Sequence, residues 1–209
     1  MLAVVTAGAL ILAGCAVGKR PSFDAVATDT AEGAMTGDVA IDAVLTRLDA
    51  VALAGFTADY TAVLSFGGTT SDVRAVQDHS AARRAVTIGG VRYLTDGQTT
   101  STCVTATQVC TDTIDAAAVS DTGVTPDFAF GALAKRLRHD AAAKIGTATP
   151  STVVVDGLTA TCVDVPVTGG TKQYCVLDNG VITRFVGGDV TIDMVGYTSA
   201  VDATLFTGP

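Results

Sequence analysis

The sequence predicts an α+β fold built on one long antiparallel β-sheet. Short segments in which apolar and polar residues alternate recur along the chain, and turn dipeptides such as Gly89-Gly90 separate them about every ten residues. Of the 21 acidic residues, all but Glu32 are aspartates, which favour turns and helix caps over helix interiors. Two segments have helical periodicity instead, and we expect them to interrupt the sheet.

The N-terminus has the pattern of an export signal. Residues 2–13 are almost wholly apolar, a run too short for a hydrocarbon core of ~30 Å but typical of a secretory h-region. The sequence LAGC at residues 12–15 matches the bacterial lipobox, whose cysteine is acylated. No Lys or Arg precedes the run, which a misplaced start codon would explain; the alternative is a chance apolar N-terminus with an ordinary cysteine. We expect a signal peptide over 1–14 and a palmitate-type lipid anchor on Cys15.

The segment after this cysteine is rich in Ala, Thr, Gly and Asp and has no sustained periodicity. We therefore expect residues 15–37 to be a flexible tether between the membrane and one domain over 38–209. This places the domain at the outer face of the bacterial cytoplasmic membrane. The net charge of −8 argues against nucleic acid as a partner, because phosphate contacts need a basic surface.

Four cysteines remain after Cys15, and an exported chain meets an oxidising compartment. Three connectivities are possible, and local pairing of Cys103 with Cys110 and of Cys162 with Cys175 fits the strand register best. Removing such a pair costs about 3 kcal/mol for the longer loop and about 2.5 kcal/mol for the shorter one. No Cys or His spacing suits zinc, so no metal and no cofactor is expected.

Three turns set the register of the C-terminal half: a loop at 167–170, Asn179-Gly180 as a type I′ turn, and Gly187-Gly188. The expected cross-strand pairs are Cys162–Cys175, Val163–Tyr174, Val165–Lys172, Val176–Thr183, Tyr174–Phe185, Phe185–Val190 and Thr183–Ile192. Because side chains alternate across a strand, these pairs define one apolar face: Val163, Val165, Tyr174, Val176, Phe185, Val190, Ile192 and Met194. The Cys162–Cys175 disulfide would lie on the opposite, polar face, outside the core.

The N-terminal half shows the same alternation. In residues 56–66, the apolar face carries Phe56, Ala58, Tyr60, Ala62, Leu64 and Phe66. Gly89-Gly90 predicts a hairpin with Val86 opposite Tyr93 and Ile88 opposite Val91, and Asp96-Gly97 marks the next turn. A four-residue loop is expected to join Cys103 and Cys110.

The first predicted helix spans 39–53, with Val44, Leu45 and Leu48 on one stripe. The second is expected to begin at Thr125-Pro126-Asp127, which combines an N-cap, a first-turn proline and an acidic residue. Phe130, Leu133, Leu137 and Ala141 then recur at helical spacing, and Lys135, Arg136 and Arg138 are expected to point outward.

This order of elements resembles the LolA-like periplasmic lipoprotein-carrier superfamily, which includes LppX-like lipoproteins and RseB-like regulators. Residues 188–209 look like the last strand and tail of that superfamily, and the Lys-poor composition suits an actinobacterium. The resemblance implies a curved half-barrel sheet wrapped over two or more helices, with an apolar cavity between them. The candidate cavity residues are Phe56, Tyr60, Leu64, Phe130, Leu133, Leu137, Val163, Val165, Tyr174, Val176, Phe185, Ile192 and Met194.

The resemblance implies that a lipid or acylated molecule is bound in that cavity. The alternative for the same residues is a filled core, because apolar faces usually pack together. A different function, implied by the RseB-like branch, is an anchored sensor that binds an envelope protein and carries no lipid. An enzyme is not expected: His79 beside Asp78 and Ser80 is a weak triad candidate, since strand neighbours face opposite ways, and His139 is expected at the surface.

Overall fold

The computed structural model describes residues 33–207, which form three α-helices and eleven β-strands. The helices are α1 (Val39–Ala50), α2 (Ala116–Thr122) and α3 (Ala132–Ala142). The strands are β1 (Phe56–Leu64), β2 (Thr70–Asp78), β3 (Arg83–Ile88), β4 (Val91–Asp96), β5 (Thr99–Val104), β6 (Val109–Thr111), β7 (Thr149–Val155), β8 (Leu158–Val167), β9 (Gly170–Val176), β10 (Ile182–Val186) and β11 (Val190–Thr198).

The strands form one antiparallel sheet made of two meanders. Strands β1 to β6 follow one another and constitute the N-terminal half-sheet, and strands β7 to β11 constitute the C-terminal half-sheet. Pairing of β1 with β11 joins the two, which leaves β6 and β7 as the edges of the described sheet. The sheet is curved and does not close. The predicted α+β half-barrel is therefore confirmed.

Helices α1 and α3 pack on each other and on the C-terminal half-sheet. Helix α1 begins at Asp38, whose carboxylate accepts hydrogen bonds from the N–H groups of Ala40 and Ile41. The predicted stripe of Val44, Leu45 and Leu48 is buried. The α-helix ends at Ala50, and the last three residues of the predicted helix form a 3₁₀ turn.

The prediction that the second helix begins at Thr125-Pro126 is wrong. Phe128–Phe130 form a 3₁₀ turn, and Gly131 follows with φ 142°, a conformation that residues with a Cβ rarely adopt. Helix α3 therefore starts only at Ala132. Helix α2 was not predicted, although Asp115 as N-cap and Gly123 after its end are recognisable signals for it.

Much of the predicted register is confirmed. Val86 lies opposite Tyr93, Cys162 lies opposite Cys175, and residues 105–108 form the four-residue loop between β5 and β6. Phe66 is an exception, because it lies beyond the end of β1 and its side chain is 95 % exposed. The alternation of apolar and polar residues therefore predicts the face of a side chain only within the strand itself.

The turn at Asn179-Gly180 differs from the prediction. Only Gly180 has a positive φ, 85°, whereas a type I′ turn needs two such residues. The hydrogen bonds from the Gly180 N–H to the Leu177 oxygen and from the Leu177 N–H to the Val181 oxygen define a three-residue loop. Val176 therefore lies opposite Ile182, with a bulge before Arg184, and its predicted pairing with Thr183 is wrong.

The last turn is also displaced. Phe185 lies opposite Ile192, not Val190, because the Gly187 N–H bonds to the Val190 oxygen and the loop residues are Gly188 and Asp189. This register differs from the predicted one by two residues. Since a shift of two preserves the side-chain face, the predicted apolar face survives the error.

Both local disulfides, Cys103–Cys110 and Cys162–Cys175, are present. The second shares a sheet face with Asp164, Gln173 and Arg184, which are joined by hydrogen bonds of 2.8 and 2.9 Å. Cys162 and Cys175 are nevertheless 0 % exposed and belong to the core. The expectation that this bridge lies outside the core is wrong. We attribute its burial to the long side chains of Gln173 and Arg184 on the same face.

Candidate binding site

The predicted cavity residues lie together, but they fill the space that they were expected to line. All except Leu64 are buried, and Leu64 packs against the same core. Their rings are in contact: Tyr174 with Phe185 at 5.0 Å and Phe56 with Phe130 at 6.1 Å between centroids. Close packing of this kind is typical of a protein core.

The cavity between α3 and the C-terminal half-sheet has a volume of about 90 Å³ and is bordered by Leu133, Phe185 and Ile192. Pockets for small molecules usually measure ~300–1,000 Å³. The space between α3 and the C-terminal half-sheet is therefore smaller than a typical ligand pocket.

Polar contacts attach α3 to the C-terminal half-sheet. The Tyr174 hydroxyl donates a hydrogen bond of 2.5 Å to Asp140, and burial together with that carboxylate raises the pKa of Tyr174 far above its usual range. Arg136 lies over the Phe185 ring at 4.7 Å and donates to Asp189. Burial opposes ionisation of Asp189, but the hydrogen bond and charge of Arg136 outweigh it and lower its pKa. Separating the helix from the sheet would break all these contacts.

Arg138 is not on the outer side of α3, contrary to prediction. Its side chain is 1 % exposed, and it donates to Asp49 of α1 at 2.5 Å and to the Ala34 oxygen at 2.9 Å. Helical spacing places this residue on the same side of α3 as Ala134, four residues earlier, which is also buried. Its Nη1 has no hydrogen-bond partner within residues 33–207.

The N-terminal half-sheet is covered less completely, and clefts surround Phe130. One cleft of about 280 Å³ lies between Phe130, Tyr93, Ile114 and Pro126. A second of about 280 Å³ borders Phe130 on the side of His79. A third of about 360 Å³ borders Phe130 on the side of Arg138 and lies between α1 and α3. The same ring thus forms a wall of three neighbouring clefts.

The clefts combine apolar walls with positive charge. Arg84 lies over the Phe130 ring at 5.6 Å and borders the first two clefts, and Lys135 borders the third. An apolar wall beside a guanidinium group suits an amphiphile with an anionic end.

The histidines do not complete a catalytic group. His79 is exposed in a 3₁₀ turn, and the Ser80 hydroxyl donates directly to Asp78 at 2.6 Å without passing through the imidazole. His139 is exposed on α3. No three His, Cys, Asp or Glu side chains among residues 33–207 are placed to hold a metal ion.

The lipidation site Cys15, the signal peptide and residues 15–32 of the tether lie outside the described residues. The end of the predicted tether is attached to α1, since the N–H groups of Thr36 and Gly37 donate to Asp42. None of the helices in 33–207 is both long and apolar enough to cross a bilayer.

No protein-family model matches the chain, and none of the curated proteins matches it. Among solved structures, MucB is 12 % identical with a TM-score of 0.52, over 82 % of this chain and 64 % of MucB. The Pseudomonas aeruginosa MucA/MucB complex gives 14 % identity and a TM-score of 0.52, over 81 % of this chain and 61 % of the matched chain. An uncharacterized conserved protein from Thermus thermophilus is 12 % identical with a TM-score of 0.46, over 80 % of this chain and 93 % of that protein.

The chain spans less than two thirds of the length of the MucB chains. MucB is an RseB-like protein with a LolA-like fold. The resemblance stated from the sequence is therefore supported for the fold: this chain shares the half-barrel fold of MucB.

Proposed function

We propose that this protein is an extracytoplasmic interaction module that binds a protein of the cell envelope through its outer surface. The observation that carries the proposal is the filled interior beneath the C-terminal half-sheet, in which Phe185, Tyr174 and Leu137 are 0 % exposed. Because this part of the interior has no room for a ligand, it favours a partner that binds on the outer surface.

Two further observations support this proposal. The two disulfides are typical of an oxidising compartment. MucB, which shares the fold, has been solved in a complex with MucA. In this proposal the lipobox cysteine Cys15 anchors the module at the outer face of the cytoplasmic membrane, where it meets envelope proteins.

Crosslinking in the native cell tests the partner. We expect one envelope protein to be enriched with the tagged full chain over an untagged strain, and the tagged partner to recover this chain in return. Mass spectrometry should find an acylated Cys15, and Cys15→Ala should release the protein from membranes. Recovery of no envelope protein in either direction would contradict the proposed function.

A second candidate is lipid binding, favoured by the cleft between Tyr93, Ile114, Pro126 and Phe130. Here an acyl chain would contact the apolar wall, and Arg84 would bind an anionic end. Organic extraction of the purified protein should then yield an acyl species that Ile114→Asp removes. Val104→Asp is the matched control, because Val104 is 41 % exposed and Ile114 is 37 % exposed. Absence of any acyl species would exclude this candidate.

A further inference from the structure

Strand β7 is an edge strand without protection by charge. Among residues 33–207 it pairs only with β8. Its sequence TPSTVVV has no charged side chain, and five of its seven residues are exposed. Soluble proteins usually protect such an edge with charges, prolines, bulges or a short strand, because its free N–H and C=O groups can bind another strand. Of these devices β7 has only Pro150, near its N-terminal end.

The hairpin that joins β7 to β8 determines which backbone groups face outward. Asp156 and Gly157 have φ of 49° and 77°, so they form a two-residue type I′ turn closed by Val155 and Leu158. Val155 and Leu158 are hydrogen-bonded to each other, and the N–H and C=O groups of successive residues point alternately towards β8 and away from it. The backbone groups that point away from β8 therefore belong to Pro150, Thr152 and Val154. Proline fits this position, because its nitrogen has no hydrogen to donate to β8.

We propose that the edge of β7 binds an extended segment of the partner protein as an additional strand. This inference rests on the proposed function and identifies the surface that performs it. The free donors are the N–H groups of Thr152 and Val154, and the free acceptors are the carbonyl oxygens of all three outward residues. Val154 is also 70 % exposed, so we expect an apolar or β-branched residue beside it in the partner.

A second copy of this chain fits the edge less well. In a symmetric pair centred on Thr152, Pro150 of each copy lies opposite Val154 of the other. Two inter-strand hydrogen bonds are then absent, because proline has no N–H. A strand from a different protein meets Pro150 only once, so only one hydrogen bond is absent. Two copies also bring together two net charges of −8.

The opposite edge is less suitable for a partner. Strand β6 has three residues and is linked to β5 by Cys103–Cys110. The segment after it returns to β5, since the Thr102 hydroxyl donates to the Thr113 oxygen and accepts from the Asp115 N–H. Too few free groups remain for a bound strand.

A random octapeptide phage library, selected on the purified full chain, provides the probe. We expect the selected peptides to bind the wild type and to bind Val154→Pro at least about tenfold more weakly, because this change removes an outward N–H and its ring obstructs the incoming strand. Thr152→Val is the matched control, since it changes a side chain of the same edge but retains the N–H. Peptide binding should also slow hydrogen exchange at Thr152 and Val154.

A second measurement does not depend on folding of the proline variant. Two peptides are compared, one N-methylated at its odd-numbered residues and one at its even-numbered residues. One of them should no longer bind the wild type and the other should bind it unchanged, because only alternate residues of an added strand direct their N–H groups towards β7. Failure to select any peptide, or equal binding to the wild type and a folded Val154→Pro, would overturn the inference. A wild-type dimer that Val154→Pro dissociates would also overturn it, in favour of a second copy.

The same variant separates this inference from the proposed function. If crosslinking in cells captures the same envelope protein with the wild type and with Val154→Pro, the partner binds elsewhere and only the role of β7 is wrong. If the cells yield no partner although peptides bind at β7, the proposed function is wrong.

Discussion

Beneath the C-terminal half-sheet, helices α1 and α3 of 12 and 11 residues lie on the strands, and the cavity between α3 and the strands measures about 90 Å³. A cleft of about 360 Å³ lies between the two helices themselves. Beneath the N-terminal half-sheet, the cover is the seven-residue helix α2 and a 3₁₀ turn, and two of the clefts at Phe130 measure about 280 Å³ each. The sheet faces are similar in both halves, since both alternate apolar and polar residues. The difference lies in the length of the helices that cover them.

Two buried tyrosine hydroxyls differ in the same way. Tyr174 of the C-terminal half-sheet donates to Asp140, whereas the Tyr60 hydroxyl of the N-terminal half-sheet has no partner in the described structure. The Thr183 hydroxyl of β10 has none there either. An unpaired buried polar group costs free energy. We therefore expect the C-terminal half to provide most of the stability and the N-terminal half to tolerate change around its clefts.

The largest difference is expected for phenylalanines. Phe185→Ala should lower the free energy of unfolding by about 3–5 kcal/mol, because the ring is fully enclosed and its loss leaves a cavity. Phe130→Ala should cost about half as much, because its ring already borders open clefts. Urea unfolding measures both variants. Equal losses would show that the two halves are equally well packed.

Removal of each disulfide is the next comparison. Cys162→Ala with Cys175→Ala should cost about 3 kcal/mol or more, since it opens the longer loop and removes fully buried sulfur. Cys103→Ala with Cys110→Ala should cost about 2.5 kcal/mol, because this loop is shorter and Cys110 is exposed. Thermal and urea unfolding without reductant would test this order, and a larger loss at Cys103–Cys110 would reverse it.

Tyrosine hydroxyls give a smaller effect with a matched control. Tyr174→Phe should cost about 1–3 kcal/mol, because it leaves the Asp140 carboxylate buried without this donor. Tyr60→Phe should be neutral or slightly stabilising, because the hydroxyl that it removes has no partner in the described structure. Urea unfolding measures both variants, and a similar loss in the two would mean that the Tyr60 hydroxyl is hydrogen-bonded in solution.

The smallest expected effect is that of pH. The Ser80 hydroxyl and the Arg83 guanidinium lower the pKa of Asp78 in the folded protein. Its contribution to stability is therefore complete above the unfolded value of about 3.9 and is lost as pH falls through the lower folded value. Asp78→Asn should flatten the loss of stability as the pH falls below about 4, measured by urea unfolding. An unchanged slope in Asp78→Asn would contradict this assignment.

Several features were predictable because they depend on residues close in sequence. The pairs Val86–Tyr93 and Cys162–Cys175 follow from alternation and short loops. The errors arose where one backbone angle decided the outcome. Gly131 delays the start of α3, and the single positive φ at Gly180 replaces a two-residue turn by a three-residue loop.

The sequence by itself determined the hairpins, the two apolar faces and the partner of each described cysteine, because these depend on side-chain alternation over a few residues. The tertiary structure decided that most of the predicted cavity residues are buried in the core, that Arg138 is buried against Asp49, and that β7 is left at an edge. Asp49 and Arg138 are 89 residues apart, and Asp140 and Tyr174 are 34 residues apart. Contacts over such separations form only when two helices pack on a completed sheet, and no local pattern encodes them.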